Sequence, residues 1–162
     1  MEPSGDVILG NVAIKDNAFR KKVRITSVSG GATSIGVESF RDCSNIASIM
    51  LPNITGQVGA YSIRDCSNLE VADLGSCTQI NNQAFQNDHK FQTLILRRTS
   101  LCVLQNSAAF TNTPMVGYNG LSGTIYVPSD LISSYKSASN WSSIFNEGHV
   151  TFTAIEGSIY EL

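Results

Sequence analysis

The run Ile35-Gly36-Val37-Glu38-Ser39-Phe40-Arg41-Asp42-Cys43-Ser44-Asn45-Ile46-Ala47-Ser48-Ile49-Met50-Leu51 decides how the chain is read. Its apolar positions are Ile35, Phe40, Ile46, Ile49 and Leu51, and the same spacing returns on both sides of it. The place of Phe40 is taken in turn by Phe19, Ile63, Phe85 and Phe110, so that the five stand 21, 23, 22 and 25 residues apart. Five residues earlier stand Ile14, Ile35, Val58 and Ile80, with Leu104 six before Phe110. Six residues later stand Ile25, Ile46, Leu69, Phe91 and Val116. The unit ends as Ile46-Ile49-Leu51, Leu69-Ala72-Leu74 and Phe91-Leu94-Leu96, with a weaker Ile25-Val28-Gly30.

A period of roughly 20–29 residues with an L-x-x-L-x-L ending is the signature of a leucine-rich repeat, in which each unit lends one strand to a shared parallel sheet. Composition agrees: 162 residues, 42% of them hydrophobic, suit one domain with a continuous core. The chain divides into a lead-in over 1–13, about five repeats over 14–127, and a C-terminal cap over 128–162.

Charge narrows the partners. Only 15% of residues are charged and the net charge is -2, so no bulk attraction to nucleic acid or anionic membrane is built in. No window reaches the roughly 18–20 apolar residues of a membrane span, and Met1-Glu2-Pro3-Ser4-Gly5-Asp6 lacks the basic-then-apolar order of a signal peptide.

Within the lead-in, Val7, Ile8 and Leu9 are placed to cover the open end of the first repeat, since end repeats need a cap. The first repeat carries a basic run, Arg20-Lys21-Lys22-Val23-Arg24, read as a solvated turn. Repeats two and three match closely in Arg41-Asp42-Cys43-Ser44-Asn45 and Arg64-Asp65-Cys66-Ser67-Asn68, whose Asp and Asn favour a tight turn or a single helical turn. Strands follow near 47–51, 70–74 and 92–96, with Ile49, Leu51, Ala72, Leu74, Leu94 and Leu96 facing the core.

In the last repeat the strand position moves from 119 to Ile125, an insertion of six filled by the loop Gly117–Gly123. Beyond Pro128, Ser129 and Asp130 offer N-cap oxygens to one helix, whose face Leu131, Ile132, Tyr135 and Ala138 leads to Asn140-Trp141. Trp141 is expected to close the end of the core, and Val150–Ile155 alternates like a final strand.

The four cysteines read first as small buried apolar residues. Cys43 and Cys66 occupy equivalent places in stacked repeats, which leaves a bridge between them open, and no C-x-x-C or His pair supports a metal site. Cys77 and Cys102 have no counterparts in other repeats and are expected to fill gaps in the core.

The pattern I-G-x-x-x-F-x-x-C-x-N-L-x-x-I-x-L-P, from Ile35-Gly36 to Leu51-Pro52, resembles the BspA-like leucine-rich repeats of bacterial, and phage-borne, surface proteins. Thr124-Ile125-Tyr126-Val127-Pro128, followed by Leu131, Tyr135-Lys136, Ala138 and Asn140-Trp141-Ser142, is similar to the closing unit found after those repeats. The resemblance covers roughly residues 14–156 and departs in the first repeat and at Asp88-His89-Lys90. It implies a right-handed solenoid with a parallel sheet on one face and short turns, helical turns or minor strands on the other. It also implies recognition or adhesion rather than catalysis.

Nothing catalytic competes with that reading. His89 sits in a repeat turn and His149 lies beyond the cap helix, so they are not expected to share a site, and no nucleophile, zinc, P-loop or paired-carboxylate motif accompanies them. No cofactor is called for. The candidate binding strip is the outward row of the sheet: Ser27 and Ser29, Ser48 and Met50, Val71 and Asp73, Thr93 and Ile95, Thr124 and Tyr126. Tyr118, in the Gly117–Gly123 loop, joins it as a second contact region. With almost no charge, such a strip suits a protein or glycan surface better than a phosphate. Two settings fit: a module exposed on a bacterial surface or secreted, as part of a longer chain, or a structural or receptor-binding domain of a phage tail or fibre, which leaves by lysis and usually trimerises.

Overall fold

Each of the first five coils lays down two short strands and stacks on the coil before it, so that two parallel sheets grow side by side. The computed structural model describes residues 5–162, and the first four residues of the expected lead-in lie outside the described residues. In chain order the elements are β1 (Asp6–Leu9), β2 (Ala13–Ile14), β3 (Ser27–Gly30), β4 (Ser34–Ile35), β5 (Ser48–Met50), β6 (Gln57–Val58) and β7 (Val71–Asp73). Then come β8 (Gln79–Ile80), β9 (Thr93–Ile95), β10 (Val103–Leu104), β11 (Gly123–Val127), α1 (Ile132–Ser137), α2 (Trp141–Asn146) and β12 (Val150–Ala154).

The main sheet has seven parallel strands in the order β1-β3-β5-β7-β9-β11-β12. Its inward row is one line in register: Val7, Val28, Ile49, Ala72, Leu94, Ile125 and Phe152. From Val28 onward these side chains are 5% exposed or less. The expected strands are therefore the observed ones, each trimmed by about a residue at either end. β11 takes up the register of β9 after the six-residue insertion, with Ile125 opposite Leu94.

A second sheet, β10-β8-β6-β4-β2, is built from the apolar positions that precede each Phe position. Ile14, Ile35, Val58, Ile80 and Leu104 all point from it into the core. Between the sheets the Phe positions form a third ladder, because each donates its backbone N–H to the next coil: Phe19 to Ser39, Phe40 to Ser62, Ile63 to Ala84 and Phe85 to Ala109, at 2.7–2.9 Å. Two left-handed residues bracket each of the first four Phe positions, such as Glu38 and Asp42 around Phe40 or Gln83 and Asn87 around Phe85. That conformation costs an ordinary side chain about 1–2 kcal/mol but Asp and Asn least, which is why Asp42, Asp65, Asn87 and Asn112 recur two residues after it.

One residue further on, the side chain turns inward. Cys43 and Cys66 donate their thiols to the carbonyls of Phe19 and Phe40 in the preceding coils, at 3.0 and 3.2 Å, and Thr113 donates to Phe110 at 2.7 Å. Asp88 holds the same place and is fully buried. One carboxyl oxygen accepts from the Cys66 N–H at 2.8 Å, and the other has no partner among the described residues. Burial pushes the Asp88 carboxyl well above the usual carboxylate range.

The pH dependence follows. A carboxyl raised in the folded state lends stability that is complete below the ordinary value near 3.8 and is lost as pH rises through the folded value. Asp88→Asn keeps an acceptor for Cys66 and removes the ionisation. Urea midpoints of this variant should lie above the parent's at pH 7, because only the parent gains a charge on unfolding there, and converge with them near pH 4. Equal midpoints at pH 7 would mean that Asp88 reaches water.

The two ends differ from expectation in detail. Val7 and Leu9 pack on the first coil, but Ile8 is 82% exposed, because strand alternation turns it to the outer face. At the other end the cap is two helices, broken where Asn140 adopts φ 65° and donates to the carbonyls of Leu104 and Gln105. Ser129 and Asp130 do not cap α1 through their side chains. They lie in a preceding 3-10 turn, where the Ser129 N–H is itself bound by Glu156 at 3.0 Å. Trp141 closes the core as expected, 1% exposed with its indole N–H on the Cys102 carbonyl at 2.7 Å.

Candidate functional site

Across the outer row of the main sheet, Ser48, Met50, Val71, Thr93, Thr124 and Tyr126 are partly exposed, as alternation requires. Asp73 and Ile95 are not, which corrects the expectation that they face solvent: they are 1% and 0% exposed. The cause is the segment after β12. It turns back over the sheet, with Ser158 bonded to Ile155 and the Gly157 N–H to Glu161, and is pinned at two points.

The first pin is ionic. Arg97, at the end of β9, holds Asp73 with Nε and Nη2 at 2.7–3.2 Å and gives Nη1 to the Tyr160 carbonyl at 2.7 Å. The second is aromatic: Tyr160 sets its ring edgewise on Tyr126, centroids 4.9 Å apart. Ile95 lies between Asp73 and Tyr126 in register, and it is buried without belonging to the main core cluster. Its cover comes from outside the sheet. Gly75 lets the chain turn sharply beneath this assembly, at φ 52°, and gives its N–H to Asp73 at 3.0 Å.

Between the returning segment and the sheet runs a groove of about 570 Å³, within the range of ligand-binding clefts. Met50 and Pro52 form one wall, Ile159, Tyr160 and Leu162 the other, and Asn53 and Arg97 supply the polar groups. Ile159 is 89% exposed, an unusual state for a side chain of its size. A larger trough, about 690 Å³, crosses the second sheet past Asp16, Gln57, Asn81 and Gln105. Its polar groups are engaged by backbone: Asp16 accepts from Val37, Gln105 from Asn82, and Asn81 donates to Val58. That row staples coils together, so the groove over Met50 is the better candidate.

The Gly117–Gly123 loop is ordered by packing. Tyr118 stacks on His89 at 4.5 Å, and Gly117 sits so close to His149 that a Cβ would lie 2.5 Å from its ring. Both histidines, kept apart by the sequence reading, therefore abut one loop. Among the described residues no group of three or more His, Cys, Asp or Glu is arranged to hold a metal, and no helix is long and apolar enough to cross a membrane.

Comparison with curated proteins finds no match. A crystal structure of a leucine-rich repeat protein from Bacteroides ovatus is similar, with a TM-score of 0.60 at 16% identity over 93% of this chain, which spans 42% of that protein. That likeness shows the fold. The sequence profile of the BspA type leucine rich repeat region matches residues 12–139 in six copies; repeat families of this type are generally non-enzymatic, take part in protein interaction in general and are often surface-associated. Two parallel sheets built coil upon coil, the Cys-Ser-Asn turn repeated in the second and third repeats and that match over most of its length place the chain in the BspA type leucine-rich-repeat family.

Proposed function

We propose that the chain is a recognition module that binds an apolar segment of a partner protein in the groove between Met50 and the returning C-terminal segment, on or outside a bacterial surface. The observation that carries this reading is Ile159, held 89% exposed at the mouth of a groove whose opposite wall is Met50 and Pro52. The tyrosines of the outer row and loop are already partnered, Tyr126 edgewise by Tyr160 and Tyr118 on one face by His89, whereas Met50, Pro52 and Ile159 face the groove as apolar groups. Ser48, Val71 and Thr93 stand one outward position before Met50, Asp73 and Ile95 on the same face, partly exposed and outside the lining of the groove.

An array of short apolar peptides tests it. Peptides captured by the parent chain should bind Met50→Lys at least tenfold more weakly, because a buried Met or Ile contact is worth about 1.5–3 kcal/mol. Ile159→Asp should act in the same direction, and circular dichroism confirms that both variants fold. Peptide binding unchanged in both variants, or capture of glycans but no peptides, would move the site elsewhere. Ile95 does not belong in such a test, since a charge there would be buried.

A further inference from the structure

Cys77 and Cys102 break the repeat pattern, and they are also the cysteines that meet. Cys77 lies in the turn after β7 and Cys102 just before β10, both 0% exposed, with their sulfurs 3.2 Å apart. The backbones that carry them are already joined, since Val103 donates to Thr78 at 2.9 Å and β8 pairs with β10 in register. By that register Cys102 stands opposite Thr78 and Cys77 one residue further back, so a strand spacing of about 4.8 Å and a rise of about 3.3 Å per residue put the two α-carbons roughly 5.8 Å apart, inside the roughly 4.4–6.8 Å that a disulfide needs. Cys102 is also clamped in place: its N–H is held by the Tyr135 hydroxyl at 2.9 Å and its carbonyl by the Trp141 indole at 2.7 Å. Cys43 and Cys66 offer a contrast, because each thiol is directed at a carbonyl of the preceding coil.

We propose that Cys77 and Cys102 are a disulfide site, closed by thiol–disulfide exchange with a small-molecule disulfide, and that the bond staples the third coil to the segment that carries the C-terminal cap. The chemistry balances. One cysteine thiolate attacks the small disulfide and expels a thiolate, which takes up a proton. The second cysteine then gives up its proton and displaces the other half, so two protein S–H bonds become one S–S bond while the oxidant leaves as two thiols. Burial blocks attack on the packed chain, so closure occurs during folding or through opening of the exposed stretch Thr99–Leu101.

The test is to refold the full chain from urea in a mixture of reduced and oxidised glutathione, then map crosslinked peptides and record melting. A peptide joining Cys77 to Cys102 should dominate. Closing a loop of this length should raise Tm by roughly 6–12 °C, reversed by dithiothreitol. Cys43→Ala/Cys66→Ala should show the same rise, whereas Cys77→Ala should not. No crosslink, crosslinks spread over all four cysteines, or a crosslinked chain that melts lower would overturn the proposal.

Discussion

Replacing Phe85 by Ala should destabilise the chain by about 3–5 kcal/mol, a large part of the roughly 5–15 kcal/mol available to a domain of this kind. Phe85 is fully buried and stacks on Phe91 of its own coil at 4.5 Å and on Phe110 of the next at 5.6 Å. Truncation thus empties space in the middle of the stack, where the neighbouring coils are held by their own backbone ladders and cannot collapse into it. Phe40 is equally buried and should cost a similar amount, although it stacks on Phe19 at 5.1 Å. Phe19 itself is only partly buried at the open end and should cost clearly less. Urea midpoints of the three variants decide the matter. Losses below about 1 kcal/mol at Phe40 and Phe85 would mean that the repeat register is wrong.

That register was legible because it is written five times over. Apolar residues at one spacing can satisfy only one stacking, so Ile49, Ala72 and Leu94 fall into line once the Phe positions are aligned, and Ile125 joins them once the six-residue insertion is allowed for. The turns were legible too, since Asp and Asn tolerate the left-handed backbone that each coil needs beside its Phe. The second sheet was visible as core but not as strands. Two residues per strand are too few to display alternation, and Ile35 or Val58 reads the same in a turn as in a ladder.

The candidate site was half legible for the same reason. Alternation placed Met50 and Tyr126 outward correctly, but burial at Asp73 and Ile95 depends on a segment that returns from far along the chain. Arg97 and Tyr160 are 63 residues apart, and the residues after Ile155 carry no periodic signal. The cysteine pair escaped for a related cause: Cys77 and Cys102 match no repeat position, and their contact depends on how the cap closes over the last coils. What recurs can be aligned against itself, while what occurs once must be seen in space.

Arg97→Ala should cost a further about 3–5 kcal/mol, because it strands the Asp73 carboxylate at a site where only 2% of that side chain meets solvent. The Gly75 N–H would remain as its donor, which does not replace three charged hydrogen bonds from a guanidinium. Removing both partners in Asp73→Ala/Arg97→Ala should be milder than Arg97→Ala alone, since no buried charge is left without a partner. Arg97 also holds the Tyr160 carbonyl, so the single variant should speed hydrogen exchange across residues 156–162, whereas Asp73→Ala leaves that bond available. If Arg97→Ala unfolds at the parent's urea midpoint, or the double variant proves weaker than the single, Asp73 is solvated and the returning segment is held by Tyr126 alone. The outcome bears on recognition directly, because the same guanidinium lies on the wall of the groove beside Met50 and fixes the segment that bears Ile159.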